Sequence, residues 1–286
     1  TTVITGATSL AYGAQAGCAT INDGKLRCWG NDKQVIGQGA GGPTFQRYGD
    51  AVETSAAVDL TGVGIGVSVG ANNTCVVMAD TTAKCYGEGS LEANGDNTST
   101  DTYYAATSVL DSGLIADTNI TKVSQHNAVS CFMFSDGTAA CTGTRANGAV
   151  GDGNGAGSAQ FVDVKVQNGA AADLTGIIDI AVGENGGCAI VDLGAGDQRV
   201  KCWGAGNYGA NGYNSIFGQM EADSYVLNDD LTTLTDAAQI DAYGYTFCVT
   251  TTASKVKCWG KNAYGQMGEG GTTFSLHNTA VIMKEN

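Results

Sequence analysis

A pair of cysteines, ten residues apart in four copies of five and followed after one residue, usually aromatic, by glycine, recurs along this chain and constrains it more than any other feature. The clearest copy is Cys248 to Gly270, CVTTTASKVKCWGKNAYGQMGEG. The same phrase returns as Cys18…Cys28-Trp29-Gly30, Cys75…Cys85-Tyr86-Gly87, Cys131…Cys141-Thr142-Gly143 and Cys188…Cys202-Trp203-Gly204. The first cysteines stand at 18, 75, 131, 188 and 248, so the steps are 57, 56, 57 and 60 residues. A fixed period of this length marks a repeat architecture, in which one supersecondary unit is copied. The 286 residues are therefore read as five units, about 3–60, 61–116, 117–173, 174–233 and 234–286, forming one domain over 1–286.

Each cysteine segment reads as a hairpin. In CATINDGKLRC, pairing about Asp23 sets Cys18 opposite Cys28, with Gly24 free to take the positive φ of a three-residue turn. Cys75 with Cys85, Cys131 with Cys141 and Cys248 with Cys258 are symmetric in the same way; Cys188 with Cys202 has a longer turn. Directly opposed residues at a non-hydrogen-bonded site are within disulfide range. All ten cysteines fall in these pairs, which predicts five disulfides and an oxidising compartment. Free buried thiols and zinc are the alternatives; the spacing is not that of a zinc knuckle, and the chain has two histidines.

Eight residues before each first cysteine stands Leu10, Val67, Val123, Ile180 or Ile240, and two later Tyr12, Val69, Gln125, Val182 or Ala242. Apolar positions two apart predict a strand. Gly13, Gly70 and Gly183 then mark a turn, where His126 and Tyr243 replace the glycine in repeats three and five. A fourth apolar stretch closes each repeat, ending with 279–283. Four strands per repeat predict an all-β chain, a single β-propeller of five four-stranded blades, each with its own disulfide. The repeat phase predicts that Ala280–Met283 meets Thr2–Ile4 and closes the ring.

Composition narrows the partners. The 28 acidic residues against 14 basic ones, net −14, argue against nucleic acid and anionic membranes. Apolar runs are too short to span a bilayer, and Thr1-Thr2-Val3 begins no signal peptide. Connections rich in Gly, Asn, Thr and Tyr bring surfaces together at little desolvation cost. Tyr103 and Tyr104 are the chosen interface anchors, among other loop aromatics.

Lys257-Cys258-Trp259-Gly260-Lys261-Asn262-Ala263-Tyr264-Gly265-Gln266-Met267-Gly268-Glu269-Gly270 resembles the phrase of the regulator of chromosome condensation repeat family. Repeat three keeps Gly148, Gly151 and Gly153 at matching offsets, and repeats two and four keep Gly95 and Gly212. The resemblance implies a propeller. Familiar members have seven blades, and this sequence has room for five.

Little in the sequence points to chemistry. His126 and His277 have no nucleophile in motif context, and paired cysteines are not thiolates. Trp29, Trp203 and Trp259 share one repeat position and are expected in the core. Asp152, Asn154 and Asp163 partly mimic a calcium loop, but Ala156 stands where an oxygen ligand belongs; a glycine turn is the simpler reading. No cofactor is expected. The leading reading is a non-enzymatic extracellular or cell-surface module that binds protein, with itself as the first candidate, as a self-assembling subunit of a surface layer or filament. A secreted binder or inhibitor comes second, and a carbohydrate-active enzyme third.

Overall fold

The computed structural model describes residues 3–31, 36–38, 45–55, 58–88, 93–95, 101, 119–155, 158–166, 172–219, 222–270 and 275–284. Their regular structure is almost entirely antiparallel strand. Blade 1 is β1 (Ala7–Tyr12), β2 (Ala16–Ile21), β3 (Leu26–Asn31) and β4 (Phe45–Ala51), hydrogen-bonded in that order. A small hairpin, β5 (Glu53–Ser55) with β6 (Val58–Asp59), leads out of it. Blade 2 is β7 (Val63–Val69), β8 (Asn73–Met78) and β9 (Ala83–Gly87); its expected fourth strand near 107–110 lies outside the described residues. Blade 3 is β10 (Ile120–His126), β11 (Val129–Phe134), β12 (Ala139–Thr144) and β13 (Ser158–Asp163), followed by the short pair β14 (Lys165–Val166) and β15 (Ala172–Asp173).

Blade 4 is β16 (Ile177–Gly183), β17 (Gly186–Asp192) and β18 (Gln198–Gly204). Its fourth position is held by single bridges, Lys201 with Tyr225 and Gly204 with Gln219. Blade 5 is β19 (Ala237–Tyr243), β20 (Thr246–Thr251), β21 (Val256–Asn262) and β22 (Ser275–Ile282).

The hairpin register is the same throughout. Cys18 faces Cys28, Cys75 faces Cys85, Cys131 faces Cys141, Cys188 faces Cys202 and Cys248 faces Cys258. The Cα separations of 4.0–4.1 Å suit the close, non-hydrogen-bonded pairs of an antiparallel ladder. Each of these pairs is a disulfide, so every blade carries one staple.

The glycine after the aromatic position has a steric cause. Gly30, Gly87, Gly143, Gly204 and Gly260 have φ of 128, 127, 118, 95 and 103°. A Cβ there would stand 2.0–2.4 Å from the carbonyl oxygen of Gln15, Asn72, Ala128, Asn185 or Tyr245, three residues before the blade's first cysteine. That carbonyl accepts the N–H of the residue after the glycine, at 2.8–3.1 Å in all five blades. Only glycine permits both the backbone angle and the approach.

Blades stack by burying one face of each sheet on the next. The disulfide face of blade 1, with Cys18, Leu26 and Cys28, packs on Val69, Val76 and Tyr86 of blade 2. The same face of blade 4, with Cys188, Val200 and Cys202, packs on Ile240, Phe247 and Trp259 of blade 5. The aromatic after the second cysteine reaches back into the preceding blade. Trp203 donates its indole N–H to Ala149 O at 3.1 Å, and Trp259 donates to Ala210 O at 2.8 Å. Tyr86 Oη lies 3.4 Å from Cys28 Sγ. A glycine forms the floor of each socket: Gly37 under Tyr86, Gly151 under Trp203 and Gly212 under Trp259.

Trp203 and Trp259 are buried as expected, but Trp29 is only half-buried. Its environment shows why. Among the described residues no strand of blade 1 pairs with blade 5, and β22 completes its own blade. Ile4 lies against Gly49 of blade 1, beside Trp29, rather than beside 280–283. Among the described residues the expected closure at the termini is not seen: each sheet takes its described strands from one continuous stretch. Leu10 and Tyr12 are 69% and 68% exposed, whereas Ile180 and Val182, their counterparts in blade 4, are 0% and 2% exposed.

Candidate functional site

The first strands of the five blades come together at one mouth. Ser9, Val67, Lys122, Asp179 and Gln239, one residue per blade, line a cleft of about 520 Å³. Asp179 knits three blades there. Its Oδ1 accepts from Lys122 Nζ of blade 3 at 2.5 Å, and its Oδ2 accepts from Ile240 N of blade 5 at 2.9 Å. Ser124 of blade 3 accepts Val182 N of blade 4 at 2.9 Å.

At the turn after the first strand, the departures from glycine prove to be a contact. His126 Nε2 accepts the N–H of Gly244 at 3.1 Å, joining blade 3 to blade 5 past blade 4. Its ring meets Tyr243 edge-on, with centroids 5.0 Å apart. Accepting through Nε2 places the imidazole proton on Nδ1, which faces Glu184 Oε2 at 3.4 Å. Burial lowers the pKa of His126, against a smaller upward pull from Glu184.

A depressed histidine pKa means the folded state binds that proton less well than the unfolded chain does. The stability His126 confers is complete above the ordinary value of 6.5 and is lost as pH falls below it. Asp80, Asp136 and Asp230, each accepting from a threonine two residues on, are held below 3.8 and lose their contribution only in stronger acid. Melting curves on mild acidification should therefore fall for the native protein, and His126→Gln should flatten the fall. An unchanged acid response in that variant would remove His126 as the cause.

The candidate calcium loop is differently engaged. Asp152 Oδ2 accepts Arg145 Nε at 2.7 Å and Asn154 Nδ2 at 3.0 Å, and its Oδ1 accepts Asn154 N at 3.1 Å. The guanidinium supplies the positive charge at this carboxylate. Asp163 ends β13 opposite Ala140 on β12. Among the described residues no group of three or more His, Cys, Asp and Glu could hold a metal ion. Tyr103 and Tyr104 lie outside the described residues. Of the other loop aromatics, Tyr264 and Phe217 are 88% and 77% exposed, whereas Tyr225 is covered by Arg199 and Lys201, 5.0 and 4.8 Å from its ring.

Sequence reasoning missed Asp179, because a lone acidic residue in a strand carries no motif. It also missed the aromatic socket, although the repeat offered a signal. Gly95, Gly151, Gly212 and Gly268 all stand ten residues after a second cysteine.

Five small antiparallel sheets, each with one disulfide and stacked about a common mouth, define a propeller-type scaffold. Residues 237–266 match the Regulator of chromosome condensation (RCC1) repeat, and the fold as a whole is similar to that of solved propellers. It superposes on human WBSCR16 with a TM-score of 0.75 at 17% identity, covering 96% of this chain and 66% of that one. On yeast RCC1 (Prp20) in complex with Kap60 the TM-score is 0.72 at 13% identity, covering 98% and 61%. On Prp20p from Saccharomyces cerevisiae it is 0.70 at 13%, covering 98% and 63%. The chain thus spans less than two thirds of the length of these propellers. Comparison with curated protein sequences yields no match. Among the described residues no helix is long and apolar enough to cross a membrane.

Proposed function

We propose that this chain is a non-catalytic extracellular interaction module, which presents surface on disulfide-stapled blades and associates with further copies of itself in a surface layer or filament. The observation that carries the reading is the staple in every blade, each at the same register. Five such bridges persist outside the reducing interior of a cell. They hold the blades rigid while the loops between them vary, which suits contact rather than chemistry. Tyr264 and Phe217, exposed on loops of blades 5 and 4, offer aromatic anchors of the kind that dominate protein interfaces.

A second reading is a secreted binder of another protein. Yeast RCC1, of the same fold, is held in complex with Kap60, which supports a propeller of this type as a partner-binding surface. Electron microscopy of the purified protein separates the two. Polymers are expected, and replacing Tyr103 and Tyr104 together by Asp should disperse them with the blades intact. Monomers at high concentration would favour the binder instead, and a double variant that assembles normally would remove those two tyrosines as anchors.

A further inference from the structure

One residue at the foot of blade 3 departs from the turns that open the other blades. Gly6, Gly62 and Gly176 precede the first strands of blades 1, 2 and 4 with φ of 73, 74 and 73°, and Asn119 stands there in blade 3 with φ 86°. Hydrogen bonding shows the four to be equivalent. Their carbonyls accept Asn22 N, Ala79 N, Asp192 N and Ser135 N from the hairpins of their own blades. Glycine takes this angle freely, and asparagine is among the few other residues that tolerate it. The departure therefore adds an amide side chain where the backbone asks for none. Asn119 also opens the triplet Asn119-Ile120-Thr121, an acceptor sequence for N-linked sugar. Asn119 and Thr121 are both exposed, while Ile120 between them is buried, as the alternation of a strand requires. The chain's other two acceptor triplets differ. In Asn72-Asn73-Thr74, Asn72 Nδ2 is bound to Glu88 Oε2 and Thr74 is fully buried. Asn97-Thr98-Ser99 lies outside the described residues.

We propose that Asn119 carries an N-linked glycan. Its side-chain amide nitrogen attacks C1 of a sugar held on a lipid phosphate or pyrophosphate. The N–C1 bond forms and the C1–O bond to phosphate breaks. The lipid phosphate leaves with the electron pair, and the amide gives one proton to the transferase. The fold accommodates the product. The sugar enters solvent from an exposed turn, and the backbone bonds of Asn119 are untouched, its N–H to Thr81 Oγ1 at 2.8 Å and its carbonyl to Ser135 N at 2.9 Å. A sugar on Asn72 would crowd the contact with Glu88 instead. Thr121 lines the cleft at the mouth, so the glycan is rooted beside it, at the hairpin-tip end of the strands. Tyr264 and Phe217 stand on loops at the other end. A bulky, hydrophilic group at the tips thus leaves the loop end clear for a partner. Sequences of this type are glycosylated on the surfaces of secreted proteins, so the inference rests on the extracellular reading above.

The test is mass spectrometry of the whole protein purified from its source. Trypsin acting on the reduced chain releases residues 85–122, which carry Asn97 and Asn119 together. Electron-transfer fragmentation of that peptide assigns any sugar to one of the two. The peptide should be heavier than its sequence by at least one sugar residue, and the added mass should sit on Asn119. Expressed in the same source, Asn119→Gln and Thr121→Ala should each lose the added mass. Thr121→Ser keeps the hydroxyl and should retain it, which a merely structural role for Thr121 would not require. Protein found outside the cell with its five disulfides intact and Asn119 bare, whether or not Asn72 or Asn97 is modified, would overturn this inference and keep the extracellular reading. Protein held inside the cell with free thiols and a bare Asn119 would overturn both.

Discussion

Chain reduced in denaturant and returned to buffer containing reductant should remain unfolded, whereas the same chain allowed to re-oxidise should refold. Four bridges close loops of ten residues and one a loop of fourteen. Loops this short contribute about 2–3 kcal/mol each in the chain-entropy account, so five amount to roughly 10–15 kcal/mol. The whole net stability of a domain is about 5–15 kcal/mol. The bridges are also cross-strand pairs in hairpins whose first strands are buried throughout in blades 1 and 2, so losing them loosens the core. Circular dichroism decides the matter. A native strand spectrum in reductant would show that the blade cores suffice without their staples.

The next largest effect is expected from one methyl group. Gly204→Ala places a Cβ 2.3 Å from the carbonyl oxygen of Asn185, at φ 95°. The same oxygen holds Ala205 N at 2.8 Å, so relieving the clash breaks that bond. Backbone strain, overpacking and the lost bond together come to about 3–5 kcal/mol. Gly194→Ala is the control. Its φ is 87°, also unfavourable to alanine, but a Cβ there meets nothing within 4 Å. It should cost only about 1–2 kcal/mol. Denaturant midpoints of the two variants compare them directly. Equal losses would mean that the angle alone, and not the approach to Asn185, demands glycine at this position.

What the sequence disclosed follows from which forces are local. Hairpin register is local: Asp23-Gly24 and the even spacing about it determine that Cys18 meets Cys28, with no knowledge of the rest of the chain. The repeat made that inference five times. Whether a blade has a neighbour is not local. Leu10 and Ile180 are the same kind of residue at the same repeat position, and one is exposed while the other is buried. An apolar residue records that a face prefers to be covered, not that something covers it, which is why ring closure was expected and is not seen among the described residues. The clamp at Asp152 was hidden for a related reason. Arg145 lies seven residues away, and only the folded turn brings its Nε to 2.7 Å. Tyr243 and His126 looked like lapses in a glycine pattern because they meet each other between blades 3 and 5, where His126 also accepts Gly244 N across 118 residues.

That last contact bears on cooperativity. In an array where each repeat touches only its neighbours, stability is a sum over units and adjacent interfaces, and any unit can open at the cost of its two junctions. The bond from Gly244 N to His126 Nε2 skips blade 4 and adds a second-neighbour coupling. Blade 4 is thereby bracketed. Displacing it would also disturb a bond that its two neighbours make to each other, so the three C-terminal blades are coupled beyond what adjacent interfaces alone supply.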